Sequence, residues 1–399
     1  MTRRLFYIAP ARMPTDKAHG YQIAKMCEAW SACGIEVHLV VPRRNNLIDR
    51  DLFEYYGIPR TFTVHYVHVT DAFQNSIVRR FHLSLLAYAI LMQGFLSALR
   101  KFVTVHMHEG DILYTRAWEV AWLFRARRNL IWEVHEITRL QRLTPRLYAR
   151  VAGIVVLTSS LRDIVLAYGV PPGRILVAPD AVDMRLFLDP SSVSEARRRL
   201  GIFSDHIAIG YVGRLSLHGK KEKGVSDLLA AFALLRSWRR DIVLVIVGGP
   251  PSALARYQAL ARALGVFDSV VFAGHVPRAD VPLWIMACDI LAIPLPKTPF
   301  SSWYTSPLKL FEYMASGRPI IASDLPSLRD ILDERTAIFA PASDPSGLAH
   351  VSMRLILDPL LRERLGRAAR NAVLRHTWDA RAIAISHFMA RMMIPNSSI

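Results

Sequence analysis

Short apolar runs alternate with amphipathic helical patterns twice along this chain, and that alternation limits its fold more than any single motif does. The first series of candidate strands is Leu5–Ala9, Glu36–Val41, Thr63–Val69, Asp111–Thr115, Leu130–His135, Ile154–Leu157 and Ile175–Ala178. The second is Ile207–Val212, Ile242–Val247, Val270–Ala273, Ile290–Pro294, Ile320–Ala322 and Ala337–Phe339. Runs that are apolar throughout suit strands buried on both faces, as in parallel sheets covered by helices. Two such series predict an α/β chain of two doubly wound, Rossmann-like domains. A length of 399 residues fits two domains, and 52% hydrophobic with 21% charged residues describes an ordered globular protein. The polar segment Asp189–Glu195 is the expected linker, giving domains 1–188 and 189–376.

The stretch Ser306 to Gly317, S-P-L-K-L-F-E-Y-M-A-S-G, lies between two of these strands. Ser306 suits an N-cap, Pro307 the first helical position and Gly317 a left-handed C-cap. The loop before it, Leu295–Thr305, opens at the carboxyl end of a strand, where open α/β sheets bind ligands. A helix N-terminus there offers free N–H groups to a phosphate, and Glu312, one turn in, is expected to accept from a ligand hydroxyl. The bland alternative makes Glu312 an exposed residue paired with Lys309.

Charge narrows the partner classes. The net charge is +17, with 24 basic against 15 acidic side chains in residues 1–187 and 26 against 18 in 188–399. So even a spread, without a basic arm, zinc finger or RNA-binding signature, argues against nucleic acid. It fits an acidic substrate and an anionic membrane surface. Three cysteines make no disulfide framework or metal cluster, which fits a cytoplasmic, reducing setting, and the N-terminus reads as a strand without a signal peptide. Phe81–Leu99 carries no charge and is flanked by Arg79-Arg80 and Arg100-Lys101, but His82, Ser84, Gln93, Gly94 and Ser97 interrupt it. The expectation is a helix packed on the first sheet, with one face for the inner surface of a membrane.

Candidate chemical groups gather at strand ends. Gly210-Tyr-Val-Gly213-Arg214 leads through a basic loop to Lys223-Gly224 before the next helix. Arg214 and Lys223 are placed to neutralise a diphosphate, whereas Lys220 and Lys221 read as solvated loop. Gly248, ending a strand, suits a backbone that approaches a ligand. In the first half, His135 ends the strand Trp132-Glu-Val-His135, and Arg116 follows Asp111–Thr115. His19-Gly20 falls between the first strand and helix, where glycine lets a substrate approach. Asp49-Arg-Asp51 spells a metal-binding D-x-D, but it stands alone in a loop and reads as surface.

These pieces, in this order, resemble the retaining glycosyltransferases of family 4 along nearly the whole chain. The matching residues are Gly20, Gly34-Ile-Glu-Val, Val177-Ala-Pro-Asp180-Ala-Val-Asp183, Val212-Gly-Arg214, Lys223-Gly224, Ser306–Gly317, Pro319–Ser323 and Thr377-Trp378. The resemblance implies a GT-B fold, its two domains facing a cleft, with residues 377–399 forming a last helix that returns to the first domain. It implies a UDP- or GDP-sugar co-substrate, no other cofactor and no metal. The acceptor would be lipid-linked or a glycan, held by His19, Gly20, Arg116 and His135. The donor would be held by Gly213, Arg214, Lys223, Gly248, Val276, Tyr304, Thr305, Ser306, Pro307, Leu308 and Glu312. Among these, Arg214 and Lys223 match the diphosphate pair, Glu312 the ribose-binding second glutamate of the E-x7-E motif, and His135 a histidine near the reaction centre. Tyr304 stands where the first glutamate of that motif would be, and Asp180-Ala181 where asparagine–glycine is usual. Alternatives are a nucleotide-sugar epimerase of similar shape and a nucleotide-sugar-binding protein without turnover.

Overall fold

The structure, a computed structural model, describes residues 4–71, 73, 84–188, 193–202, 205–215 and 222–393. The chain forms two compact units: one runs up to Leu157, takes in Leu161–Ala178 and resumes at Trp378; the other comprises Thr158–Ser160 and Pro179–Thr377.

In the first unit the strands are β1 (Arg4–Ile8), β2 (Glu36–Arg43), β3 (Thr63–His68), β4 (Ile112–Thr115), β5 (Leu130–Val134), β6 (Gly153–Val156) and β7 (Ile175–Val177). They make a seven-stranded sheet in the order β3-β2-β1-β4-β5-β6-β7, with every pairing parallel. Strands β4, β5 and β6 are buried at every position, as a sheet covered on both faces requires, with Glu133 of β5 buried along with its apolar neighbours. Strand order reverses between β1 and β4, so the loops after these strands diverge and leave a crevice at the carboxyl ends. Helix α1 (Ala18–Ala32) connects β1 to β2, and a short α2 (Leu52–Tyr56) precedes β3. Gly34, at φ +79°, turns the chain after α1. Helix α3 (Ser84–His106) lies against β3, with Phe102 edge-on to His65. It buries Ala87, Leu91, Met92, Phe95, Leu99 and Val103 and exposes Leu85, Leu86, Tyr88, Ile90 and Val105. Among the described residues it is one helix long and apolar enough to cross a membrane, with 33% of that window buried. Phe81 to Leu83 lie outside the described residues, as does Arg79-Arg80.

The second unit contains β8 (Ile207–Val212), β9 (Ile242–Val247), β10 (Val270–Gly274), β11 (Ile290–Ile293), β12 (Ile320–Ser323) and β13 (Ile338–Ala340). These form a six-stranded parallel sheet ordered β10-β9-β8-β11-β12-β13, which reverses between β8 and β11. Alternate side chains of the same strands feed two cores: Leu244 and Ile246 on one face, Val243 and Val245 on the other. Helix α4 (Val225–Trp238) follows β8, and α5 (Leu308–Ser316) links β11 to β12. The last helix, α6 (Trp378–Met392), belongs to the first unit and packs on α1.

The chain passes into the second unit at Pro179, before the polar segment expected as linker. Val182 pairs with Thr377, Phe187 is buried in the second unit's core, and Val193–Leu200 is helical. Residues 179–187 therefore already pack with that unit, and Asp189 to Ser192 lie outside the described residues.

Candidate functional site

The carboxyl ends of β8, β9 and β11 and the start of α5 carry most of the donor-side candidates. Helix α5 begins one residue later than its sequence signals place it. Its N-cap is Pro307, whose side chain makes no cap hydrogen bond. The Ser306 hydroxyl instead accepts from the Asp180 N–H at 2.9 Å, so it fastens the 179–183 segment and leaves the helix amides uncapped by it. Gly317, at φ +72°, ends the helix in the left-handed conformation expected of it.

Two side chains of α5 reach the end of β8. Tyr313 spans one residue of the strand: its hydroxyl accepts from Val212 N–H at 2.7 Å and donates to Val212 C=O at 3.0 Å. One turn earlier, Lys309 folds its chain over the Tyr211 ring, with Nζ 3.5 Å from the ring centroid. It can do so because residue 213 is glycine; a Cβ there would stand 2.6 Å from Lys309 Nζ. Burial pushes the Lys309 amine well below its ordinary value, Lys223 adds to this and Glu312 opposes it. The Lys309–Glu312 surface pairing is therefore overturned: Glu312 is 5% exposed, and its carboxylate bonds Arg278, from the turn after β10.

The glycines pack backbone on backbone. Gly213 and Gly248 have φ of +155° and +145°, and a Cβ on Gly248 would lie 2.0 Å from the Gly213 carbonyl oxygen. Gly248 is thus needed for the fit of two strand ends. Lys223 reaches toward the Phe300 ring, 5.5 Å from its centroid, and Arg214 beside Gly213 is exposed. Lys220 and Lys221 lie outside the described residues. Val276 is half-buried against the core, Leu308 is half-buried and Thr305 is buried. Tyr304 does not sit in an open loop: Phe300–Tyr304 is a π-helical turn in which Tyr304 is 7% exposed while Trp303 faces outward. That turn is held by Ser327 Oγ donating to Ser301 C=O and Thr158 Oγ1 donating to Trp303 C=O, each at 2.5 Å.

In the first unit, one carboxylate organises the other candidates. Glu133 on β5 is fully buried. Its Oε1 accepts from His135 Nε2 at 2.6 Å, Arg381 Nη2 at 3.0 Å and Gln22 Nε2 at 3.1 Å, and Oε2 accepts from the Tyr114 hydroxyl. Burial by itself would raise this carboxyl; Arg381 and then His135 overcome it and hold it well below its ordinary value. Arg116 Nη2 donates to His135 Nδ1 at 2.9 Å, and its Nη1 bonds Gln22. An arginine cannot accept, so Nδ1 is the acceptor, and the ring proton sits on Nε2 toward Glu133. Burial and the Arg116 charge push His135 down to about 4, with Glu133 opposing them. This histidine is neutral at pH 7, and both its ring nitrogens are engaged. Arg116 and His135 are therefore brought together as the sequence reading groups them, whereas His19 and Gly20 lie inside the first turn of α1. The space before Gly20 is filled by Tyr56 Oη and Thr15 Cγ2, where a Cβ would meet them at 2.2 and 2.4 Å. Its missing side chain serves packing within the unit.

Arg278, Gln22 and Arg381 lie outside the quoted motifs, and Lys309 and Glu133, though inside quoted stretches, are not read there as site residues. For Arg278 the available signal was its place just after a strand of the second sheet. The D-x-D reads as surface here too: Asp51 is the N-cap of α2, accepting from Phe53 and Glu54 N–H at 2.8 and 3.0 Å.

Two doubly wound sheets, one bearing cations and an uncapped helix start at its switch point, define the architecture of the two-domain GT-B glycosyltransferases. Residues 20–186 match the model described as Glycosyltransferase Family 4, and residues 206–358 that described as Glycosyl transferases group 1. A D-inositol 3-phosphate glycosyltransferase of Xylanimonas cellulosilytica is 30% identical over 310 residues, covering 70% of this chain and 72% of the relative. The sucrose-phosphate synthase of Thermosynechococcus elongatus superposes with a TM-score of 0.77 at 18% identity, covering 98% of this chain and 99% of that one. Anabaena HepE, solved with UDP-glucose, superposes at 0.70 with 17% identity, over 97% and 99% of the two chains. The chain belongs to glycosyltransferase family 4 and is a glycosyltransferase.

Proposed function

We propose that this enzyme moves a sugar from a nucleoside-diphosphate sugar to a lipid-linked or glycan acceptor, with retention at the anomeric carbon and without a divalent metal. The observation that carries this reading is the group of basic side chains near the end of β8, Arg214, Lys223 and the buried Lys309 amine, beside the start of α5, whose N-cap side chain makes no hydrogen bond. Departure of a nucleoside diphosphate develops negative charge, and fixed cations with oriented amides stabilise it. The binding of UDP-glucose by HepE supports a nucleotide-sugar donor. Glu312, buried at the same helix, has a second carboxylate oxygen for ribose hydroxyls while Oε1 is held by Arg278. On the acceptor side, neutral His135 is oriented by Glu133 and Arg116. It positions and polarises and does not act as a base, since both ring nitrogens are already bonded.

An acceptor at the inner membrane face is supported by the apolar side chains that α3 leaves exposed and by an open pocket on the first unit. That pocket is lined by Trp122, Leu143 and the arginines 125, 146 and 150. Arginine and tryptophan side by side suit an anionic headgroup layer. A second reading, donor binding without turnover, is favoured by Tyr304 in place of a glutamate. Incubating purified protein with UDP-, GDP- and ADP-sugars separates the two, since only a transferase releases nucleoside diphosphate. Arg214→Ala and Lys223→Ala should each lose about 2–4 kcal/mol of transition-state stabilisation. Undiminished kcat/KM in both variants would remove the leaving-group role.

A further inference from the structure

We infer that Lys309 is an anion-binding residue of the donor site, its ammonium set to meet a phosphoryl oxygen of a bound nucleoside diphosphate. The inference rests on the proposed function and adds to it a residue not among the expected donor-binding side chains. Three observations converge. First, Lys309 Nζ is buried, and among the described residues nothing accepts a hydrogen bond from it. Burial without an acceptor disfavours the charged form of this amine, and an anion placed beside it would supply the missing acceptor and favour the ammonium. Second, the surroundings do not complete it. The Tyr211 ring lies 3.5 Å away, the Lys223 charge opposes it, and the Glu312 carboxylate within range is already bonded to Arg278. Third, its location is that of the proposed ligand: Nζ lies against the bare Cα of Gly213, in the turn that carries Arg214, and its own helix starts at Leu308, where the N-cap, Pro307, makes no side-chain hydrogen bond. The helix start and the unpartnered Lys309 amine lie on the same first turn, and an anion there would satisfy both.

A packing role is the competing account, with the lysine stem covering Tyr211 and the charge incidental. The test compares the parent with Lys309→Met, which keeps length and apolar volume, and with Lys309→Gln. Binding of UDP, GDP and ADP is measured by calorimetry, and binding of the corresponding nucleosides by NMR titration. Both variants should lose about 10- to 100-fold in affinity for the nucleoside diphosphate the parent prefers, the size of a charge-assisted hydrogen bond, with nucleoside affinity unchanged. If the variants bind that diphosphate as the parent does, or lose diphosphate and nucleoside equally, Lys309 is a packing residue and the inference falls. In either case Arg214→Ala still tests the function itself, through its own loss of diphosphate affinity. A parent that binds none of the three diphosphates would overturn the proposed function, and this inference with it.

Discussion

Glu312 is buried with its carboxylate against Arg278, so its charge serves the fold as well as any ligand. Glu312→Gln should weaken both donor and free nucleoside diphosphate by about 1–3 kcal/mol, the range for a lost charged hydrogen bond. Affinity like the parent's in a calorimetric titration would remove the ribose assignment. His135 gives a pH prediction. Its folded pKa, about 4, lies below its ordinary 6.5, so the unfolded chain binds the extra proton between those values. Stability contributed at neutral pH is therefore lost as pH falls from 6.5 toward 4. His135→Gln should lose less stability over that window in urea denaturation, and an identical slope would mean that the ring titrates normally.

At the scale of elements, two left-handed glycines separate conformational strain from steric exclusion. Gly317 caps α5 at φ +72°, and its nearest obstacle to a Cβ is the flexible Arg370 side chain at 3.5 Å. Gly224, also at φ +72°, has the Pro294 carbonyl oxygen 1.5 Å from where its Cβ would be. Gly317→Ala should cost about 1–2 kcal/mol, the left-handed penalty alone. Gly224→Ala should cost more, because the junction of β11 and α4 must open; equal melting temperatures for the two variants would refute this. Elements were legible in the sequence because most strands centre on a short apolar run and α5 is bounded by Pro307 and Gly317. The partners within the site were not. Ser306 is a good cap by residue type, yet the Asp180 N–H claims its hydroxyl. The Glu133–Arg381 bond joins positions 248 residues apart, beyond any periodic signal. Lys309 and Glu312 have ordinary helix-pair spacing yet meet different partners, Tyr211 of β8 and Arg278 of the turn after β10.

At the scale of the whole molecule, a charge of +17 and the exposed apolar residues of α3 predict weak, reversible attachment to anionic bilayers. Co-sedimentation with phosphatidylglycerol vesicles should fall as salt rises, because screening shortens the attraction. Binding that is indifferent to salt and yields only to detergent would point to a spanning helix instead. In the proposed reading the second unit carries the leaving-group chemistry, while the first unit holds a neutral histidine. The central claim is that this constellation transfers a sugar by fixed charge alone. It is tested most directly by following product formation from a nucleotide sugar in the presence of EDTA and reading the anomeric configuration by NMR. The account predicts undiminished turnover and a product with the donor's configuration. Loss of turnover restored by magnesium or manganese, or an inverted product, would contradict it.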